Sequence, residues 1–198
     1  MGIPKEPKPA KYFVALLTAD AELLSSVQGD LRVLLGAVDS SSPTLPWAVT
    51  DYYEKEMGSG LLRSFVSFVP LVSPERLPEV KLKTHELEEK YQWGESEKKG
   101  RTVNIDPGYL DSGKVVLAST KNASHRIYLS SGIYGEATLL YHGGSFHPFA
   151  YTYPDYLWPE TLSFFTALRS LYLNQLKREG SEVTGVGQAA KTVVDTGP

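Results

Sequence analysis

The order of apolar patterns along the first half of the chain is the feature that most restricts its fold. Short apolar runs typical of buried strands alternate with stretches in which apolar residues recur at helical spacing. The predicted elements are a strand at 12–18, a helix between Asp20 and Gly36, strands at 47–53 and 62–71, a helix that opens at Ser73 and Pro74, and a strand at 101–105. This β-α-β-β-α-β order predicts an α+β fold of the ferredoxin-like type, in which two helices cover one face of an antiparallel sheet.

The next segments extend this pattern with a hairpin. Residues 114–120 are ambiguous, because Asp111 could cap a helix whereas the Val-Val-Leu run inside the segment favours a strand; we expect a helix. Residues 126–129 and 133–141 have strand character, and the Ser-Ser-Gly tripeptide between them is typical of a tight turn. We therefore expect a C-terminal β-hairpin added to the ferredoxin-like sheet.

The end of the chain supplies one more helix. An aromatic loop at 147–159 precedes it, and its apolar stripe consists of Leu162, Phe165, Leu168, Tyr172 and Leu176. Past Gly180 the sequence is polar and rich in glycine, which is typical of a disordered tail. We expect a flexible N-terminus at 1–10, a single domain at 11–179 and a disordered tail at 180–198.

Composition excludes several classes of function. The net charge of −3 provides no basic field, so we expect no nucleic-acid partner. The absence of cysteine excludes disulfides, thiolate nucleophiles and cysteine-based metal sites. No run of 18 apolar residues occurs, and the basic, proline-rich N-terminus lacks the apolar core of a signal peptide. We therefore expect a cytoplasmic protein that does not span a membrane.

The stretch VNIDPGYL at 103–110 combines residues that an ordinary strand avoids. Asp-Pro-Gly is typical of a turn, because proline fixes φ at the first corner and glycine takes a positive φ next. Asn104 lies in the predicted strand, where a buried amide needs several hydrogen-bond partners. Two interpretations stay open: a structural turn, or a turn in which Asn104, Asp106 and Tyr109 face a ligand.

A basic cluster follows this stretch. Lys114, Lys121, His125 and Arg126 lie close together in the sequence, with serines among them and Gly113 directly before Lys114. Cationic side chains beside backbone amides are typical of a site for an anion. We therefore expect Asn104, Asp106, Tyr109, Lys114, Lys121, His125 and Arg126 to contribute to one ligand-binding site, with a phosphate-bearing small molecule as its ligand.

The candidate metal ligands are less well placed. On the predicted strand, Glu54 and Glu56 face one side and Asp51 the other, so these carboxylates converge only if the strand ends near Tyr53; the alternative is a solvated hairpin end. His142 and His147 flank a Gly-Gly pair without a further ligand at suitable spacing. We assign no metal site and no cofactor.

Five blocks of sequence together resemble a known family. They are TDYYEKEMG, VNIDPGYL, KVVLASTKNASHRIYL, GIYGEATLLY and YTYPDY. In this combination they resemble the prokaryotic domain-of-unknown-function family 4416, over residues from about Lys11 to Lys177. Some members of that family are labelled as GTP-binding proteins, but this sequence has no G-x-x-x-x-G-K-[ST] loop to support that label.

Two functions are consistent with the sequence. In the first, the protein binds a phosphate-bearing small molecule or nucleotide through the basic cluster and the Asn-x-Asp pair. In the second, it is a non-catalytic interaction module that uses the aromatic loop as its partner surface. The sequence leaves open whether the protein is an enzyme.

Overall fold

The computed structural model describes residues 2–50, 53–93 and 100–189. The strands are β1 Ala10–Thr18, β2 Val38–Ser41, β3 Leu45–Pro46, β4 Leu62–Val72, β5 Gln92–Trp93, β6 Gly100–Arg101, β7 Val103–Leu110, β8 Lys114–Ser119, β9 Ile127–Ser130, β10 Ile133–His142 and β11 Ser145–Pro148. The helices are α1 Ala21–Leu35, α2 Glu54–Met57, α3 Leu77–Lys90 and α4 Pro159–Ala189, with 3₁₀ turns at Pro74–Arg76 and Pro154–Leu157. The predicted α+β class is confirmed.

One antiparallel sheet organises the described part of the chain. Its strand order is β11-β10-β8-β7-β1-β4-β2, with β3 paired to β4 and β9 paired to β10. Every residue of β1 is buried, because helices cover both faces of the sheet. Alternate residues of β1 therefore enter two separate cores: Tyr12 and Val14 pack with α1 and α3, whereas Phe13 and Ala15 pack with α4.

Local sequence signals set the ends of α1 where they were predicted. The Asp20 carboxylate accepts hydrogen bonds from the backbone N–H groups of Glu22 and Leu23, which have no partner within the helix. At the other end, Gly36 has φ 95°, a conformation that glycine adopts without strain.

Two predicted elements are wrong. Residues 47–50 and Tyr53 are not a strand, while residues 51–52 lie outside the described residues. Pro46 ends β3 because it has no N–H to donate, and α2 follows. Residues 114–119 are the strand β8 rather than a helix, because their β-branched run is buried between β7 and β10. Asp111 does not cap a helix. Its carboxylate instead accepts hydrogen bonds from the backbone N–H groups of Gly113 and Lys114 in the β7–β8 turn.

The predicted C-terminal hairpin and last helix are present with different limits. Between β9 and β10, Ser131 has φ 52° and Gly132 has φ 76°, the left-handed conformations of a two-residue hairpin turn. The sheet nevertheless has nine strands in the described part of the chain, more than the predicted pattern contains. Helix α4 continues past Gly180, where the sequence predicted its end.

The predicted limits of the domain and its tail stay predictions. Residues 190–198 and most of the charged loop at 94–101 lie outside the described residues. No helix in the described ranges is long and apolar enough to cross a membrane.

Candidate functional site

The stretch VNIDPGYL forms the whole of β7 and contains no turn, so the predicted Asp-Pro-Gly turn is wrong. β7 pairs with β1 along its full length, but it pairs with β8 only from Gly108 to Leu110. The two strands separate at Pro107, which has no N–H for a ladder hydrogen bond. We call the resulting gap between residues 103–107 of β7 and residues 118–121 the fork.

The glycine of this stretch closes the sheet immediately beyond the fork. A Cβ atom on Gly108 would lie 2.4 Å from the carbonyl oxygen of Val116 and 2.6 Å from the ring of Phe13. A larger residue would therefore push β8 away from β7. Both residues therefore have a role within the strand. Pro107 ends the pairing of β7 with β8, and Gly108 allows the two strands to approach each other.

Helix α3 provides the hydrogen bonds that β8 does not provide in the fork. The Ile105 N–H donates to Glu88 Oε1 at 2.6 Å, and the Ile105 carbonyl accepts from Lys81 Nζ at 3.0 Å. Because Ile105 and Pro107 direct their backbone groups to the same side of β7, the missing N–H of Pro107 also faces the fork rather than β1. His85 follows Lys81 by four residues and Glu88 follows it by seven, so the three side chains line one face of the helix.

The charged side chains of the fork compensate one another. Lys81 Nζ contacts Asp106 Oδ1 at 2.9 Å. Burial alone would raise the pKa of Asp106, but the charge and hydrogen bond of Lys81 hold this pKa below its usual value. Burial alone would lower the pKa of Lys81, yet Asp106 and Glu88 raise it. Glu88 differs, because burial raises its pKa and the neighbouring cations offset this effect only in part.

Arg101 connects this cluster to α2. Its Nε and Nη2 donate to the two carboxylate oxygens of Glu56 at 2.9 and 2.8 Å, and its Nη1 donates to Asn104 Oδ1 at 2.9 Å. Asn104 Nδ2 donates in turn to Asp106 Oδ2. The buried amide of Asn104 thus has hydrogen-bond partners at both its oxygen and its nitrogen, as expected for a buried amide.

Arg63 lies on β4, on the same face of the sheet as Asn104 of β7, with β1 between the two strands. Leu17 of β1 pairs with Arg63 of β4 and with Asn104 of β7, so all three side chains share one face. The Arg63 side chain is 8% exposed, and its Nε lies 2.7 Å from Asp155 Oδ2 at an angle outside hydrogen-bond geometry. Its guanidinium carbon lies 5.9 Å from the centre of the Trp47 ring.

Several buried polar atoms around Arg63 are unsatisfied. Among the described residues, the buried donors without a hydrogen-bond partner include Arg63 Nε and Nη1, Trp47 Nε1 and Tyr156 Oη, and the carboxylate oxygen Asp155 Oδ2 also has none. Burial raises the pKa of Tyr156 well above its ordinary value, so its hydroxyl keeps its proton. A buried donor without a partner costs about 1–3 kcal/mol, and each such group in a folded protein therefore requires an explanation.

These groups surround one cavity of about 190 Å³. Its charged and histidine lining residues are Arg63, Lys81, His85, Glu88, Arg101, Asp106, Lys121, Arg126, Glu136 and Asp155. Its other lining residues are Trp47, Val49, Thr50, Tyr53, Asn104, Leu117, Ala118, Ser119, Thr120, Tyr153 and Tyr156. Five lysines and arginines thus face four carboxylates, with aromatic rings around the Arg63 end. We call this space the fork cavity.

The structure brings together four of the residues proposed from the sequence. Asn104 and Asp106 line the fork cavity from β7, and Lys121 and Arg126 line it from the segment between β8 and β9. Arg126 Nε also donates to Glu136 Oε2 at 2.6 Å, so its charge is partly compensated. The expected proximity of the VNIDPGYL stretch and the basic segment is therefore present, although a strand and not a turn provides it.

The other three proposed residues lie outside the lining of the fork cavity. Tyr109 packs against Tyr12 in the core between the sheet and the helices α1 and α3. Lys114 forms an ion pair with Asp111 at the opposite end of β8. His125 Nε2 lies 3.0 Å from Glu136 Oε2, and the His125 ring stacks on Tyr151.

The candidate metal ligands do not form a site in the described ranges. No group of three or more His, Asp or Glu side chains suited to a metal ion occurs there. Glu56 binds Arg101, and Asp51 lies outside the described residues. His142 and His147 stack with their ring centres 3.7 Å apart.

Sequence reasoning missed Arg63, Lys81, Glu88 and Arg101. A signal for three of them exists. Lys81 and Glu88 are seven residues apart and border the apolar stripe of α3. Arg63 likewise interrupts a strand whose neighbouring residues are mainly apolar. A charged residue beside the apolar residues of a buried helix face or strand therefore indicates a nearby polar site.

Comparison with known proteins gives a family. No curated protein and no solved structure matches this chain. A family model described as "Domain of unknown function (DUF4416)" matches residues 8–172. This match covers the sheet, its three long helices up to Tyr172 and every residue that lines the fork cavity. The chain therefore belongs to the DUF4416 family.

Proposed function

We propose that the protein binds a small anionic molecule in the fork cavity, and that this molecule bears a phosphate group. The observation that supports the proposal is a set of three buried donors without partners, Arg63 Nη1, Trp47 Nε1 and Tyr156 Oη, on the wall of one cavity. An anion with several acceptor oxygens would satisfy all three. Without such a ligand, each donor would carry a desolvation penalty.

The chemistry of the donors favours an oxyanion. A guanidinium group presents its N–H bonds in a planar fork that matches phosphate or carboxylate oxygens. The Arg63 side chain is buried, so an anion beside it would interact in a medium of low dielectric. Lys121 and Arg126 add cationic side chains to the same cavity.

The aromatic loop at 147–159 provides less support for an interaction module. Tyr156 is 2% exposed and packs on Phe65 and Phe165. The Tyr151 hydroxyl donates to the Ala137 carbonyl. Tyr153 is 48% exposed, far more than Tyr156. Because much of the loop closes the core and the fork cavity, the small-molecule proposal is the stronger one.

A panel of anions tests this proposal by thermal unfolding. The panel contains inorganic phosphate, sugar phosphates, nucleotides and simple carboxylates. A ligand at about 100 times its Kd adds about 2.7 kcal/mol to the free energy of unfolding, which raises the Tm of a chain of this size by about 5–10 °C. Failure of every phosphate compound to raise the Tm would contradict the proposal.

Variants at Arg63 locate the binding site. The double variant Arg63→Met with Asp155→Asn removes both charges of the buried pair, so that no carboxylate is left unpaired. It should lose the ligand-induced rise in Tm. Arg76→Met is the matched control, because Arg76 pairs with Glu79 on the surface and does not line the cavity. An unchanged response in the double variant would place the ligand elsewhere.

The ferredoxin-like arrangement also stays a proposal. It is supported by the order β7-β1-β4-β2 within the larger sheet and by the position of α1 and α3 on one face. In this arrangement the fork lies at the junction between the ferredoxin-like strands and the added strands β8 and β10. A solved structure of the protein would test the arrangement.

A further inference from the structure

Charged side chains form a connected group on the α3 side of the fork cavity. Three carboxylates, Glu56, Glu88 and Asp106, are connected there through two cations, Lys81 and Arg101. Glu56 accepts hydrogen bonds from Nε and Nη2 of Arg101, and Asp106 accepts one from Lys81. Glu88 is left with the longer contact of its Oε2 to Arg101 Nη1, at 4.0 Å.

The two oxygens of Glu88 have different surroundings. Oε1 accepts the Ile105 N–H at 2.6 Å, so this oxygen is committed to β7. Oε2 lies 3.3 Å from Nδ1 of His85 and 4.0 Å from Nη1 of Arg101. The Glu88 side chain is 3% exposed, whereas the His85 side chain is 53% exposed. His85 therefore connects a buried carboxyl on the cavity wall with solvent.

We propose that Glu88 is the proton-exchanging residue of the fork cavity: when an anion binds, Glu88 takes up a proton at Oε2, and His85 provides the path for that proton. This inference rests on the proposed function, because it requires an anion in the cavity. A neutral His85 can accept the new O–H bond at Nδ1. Glu88 can release the proton by the same route when the anion leaves.

The surrounding charges select Glu88 over the other two carboxylates. The hydrogen bonds from Arg101 lower the pKa of Glu56, and Lys81 holds the pKa of Asp106 low against the effect of burial. Burial raises the pKa of Glu88, and the charge of Asp106 raises it further, while Lys81, the Ile105 N–H and Arg101 oppose this.

An anion in the same cavity adds negative charge near Glu88 and raises the pKa of this carboxyl again. Towards solvent, Oε1 of Glu89 lies 3.7 Å from Nε2 of His85. A buried carboxyl that exchanges a proton next to a bound ligand is also the arrangement that general acid–base catalysis uses.

Sulfate is a suitable probe, because it carries no titratable proton near neutral pH, so any proton taken up must enter the protein. Calorimetric titration of the protein with sulfate, in two buffers of different ionisation enthalpy, measures the number of protons taken up. We expect uptake that approaches about one proton per sulfate, and an affinity that falls by up to about tenfold per pH unit above the pKa of Glu88 in the unliganded protein.

Glu88→Gln keeps the size and the acceptor oxygen of the side chain but cannot exchange this proton. The variant should bind sulfate without proton uptake. Its affinity for sulfate should therefore change little between pH 5 and 8, whereas uptake of one proton changes the affinity by up to about tenfold per pH unit. Glu86→Gln is the matched control, because Glu86 pairs with Lys83 on the exposed side of α3. The control should retain the proton uptake.

The outcomes separate the two proposals. Sulfate binding without proton uptake, or uptake that persists in Glu88→Gln, would overturn the assignment of Glu88 and leave the proposed function standing. Failure of the wild-type protein to bind sulfate at any pH, together with failure of every phosphate compound of the thermal panel to raise the Tm, would overturn both. If Glu88→Gln does not fold, ¹³C NMR titration of the Glu88 carboxyl decides instead: a pKa that does not rise when sulfate is added would overturn the assignment.

Discussion

Replacement of Lys81 by methionine tests whether α3 substitutes for β8 in the fork. Lys81 is 5% exposed, and its ammonium group donates to the Ile105 carbonyl and to Asp106. Methionine preserves much of the aliphatic stem, so the packing of α3 on the sheet is largely retained. The variant therefore removes the charge and the two hydrogen bonds without a large cavity.

The structure gives the magnitude of the effect. Removal of one partner of a fully buried ion pair costs about 3–5 kcal/mol. The loss is smaller here, because the Asp106 side chain is 32% exposed and keeps the hydrogen bond from Asn104 Nδ2. The Ile105 carbonyl also loses its donor, a loss that overlaps with the first because both bonds come from one ammonium group. We expect Lys81→Met to lower the free energy of unfolding by about 2–3 kcal/mol and the Tm by about 4–12 °C.

Urea denaturation at pH 7 measures this change. Lys83→Met is the control, because Lys83 pairs with Glu86 on the exposed face of α3, and it should change stability by no more than about 0.5 kcal/mol. Addition of Asp106→Asn to Lys81→Met should restore part of the loss, since the unpaired carboxylate is then removed. A loss for Lys81→Met no larger than that of the control would refute the role of α3 in the fork.

Three further predictions address other parts of the structure. Gly108→Ala should lower the free energy of unfolding by about 1–3 kcal/mol in urea denaturation, because the new Cβ would collide with the Val116 carbonyl and the Phe13 ring; an unchanged midpoint would contradict this. Asp20→Ala should cost about 1 kcal/mol in the same assay through loss of the α1 cap, and a neutral result would show that the cap is dispensable. Because the pKa of Glu88 lies above its ordinary value of 4.5, its contribution to stability is present at low pH and is lost as pH rises through the raised pKa; Glu88→Gln should remove this decline in a pH series of urea midpoints, and an identical pH profile would contradict it.

Elements whose signals are local could be predicted from the sequence. Asp20 and Gly36 set the limits of α1 through bonds and backbone angles within a few residues. The Ser131-Gly132 turn is likewise specified by two left-handed residues. These signals act over short distances, so the pattern of the sequence contains them completely.

The fork could not be predicted in this way. Asp-Pro-Gly has the same local preferences in a turn and at the point where two strands separate, and pairing with β1 decides between them. The run at 114–119 becomes a strand because β7 and β10 lie on either side of it. Lys81 and Glu88 enter the site because β8 leaves Ile105 without partners, which is a property of the sheet rather than of α3.

The indole N–H of Trp47 gives the most direct test of anion binding in the fork cavity. Trp47 Nε1 is one of the buried donors without a partner in the described part of the chain, and it lies beside Arg63. An NMR titration with inorganic phosphate follows its ¹H–¹⁵N resonance, which Trp47→Phe assigns among the three tryptophans of the chain. We predict a saturable shift of this resonance that is lost in the Arg63→Met, Asp155→Asn variant. A resonance that does not move with phosphate, or that moves equally in this variant, would contradict anion binding at Arg63.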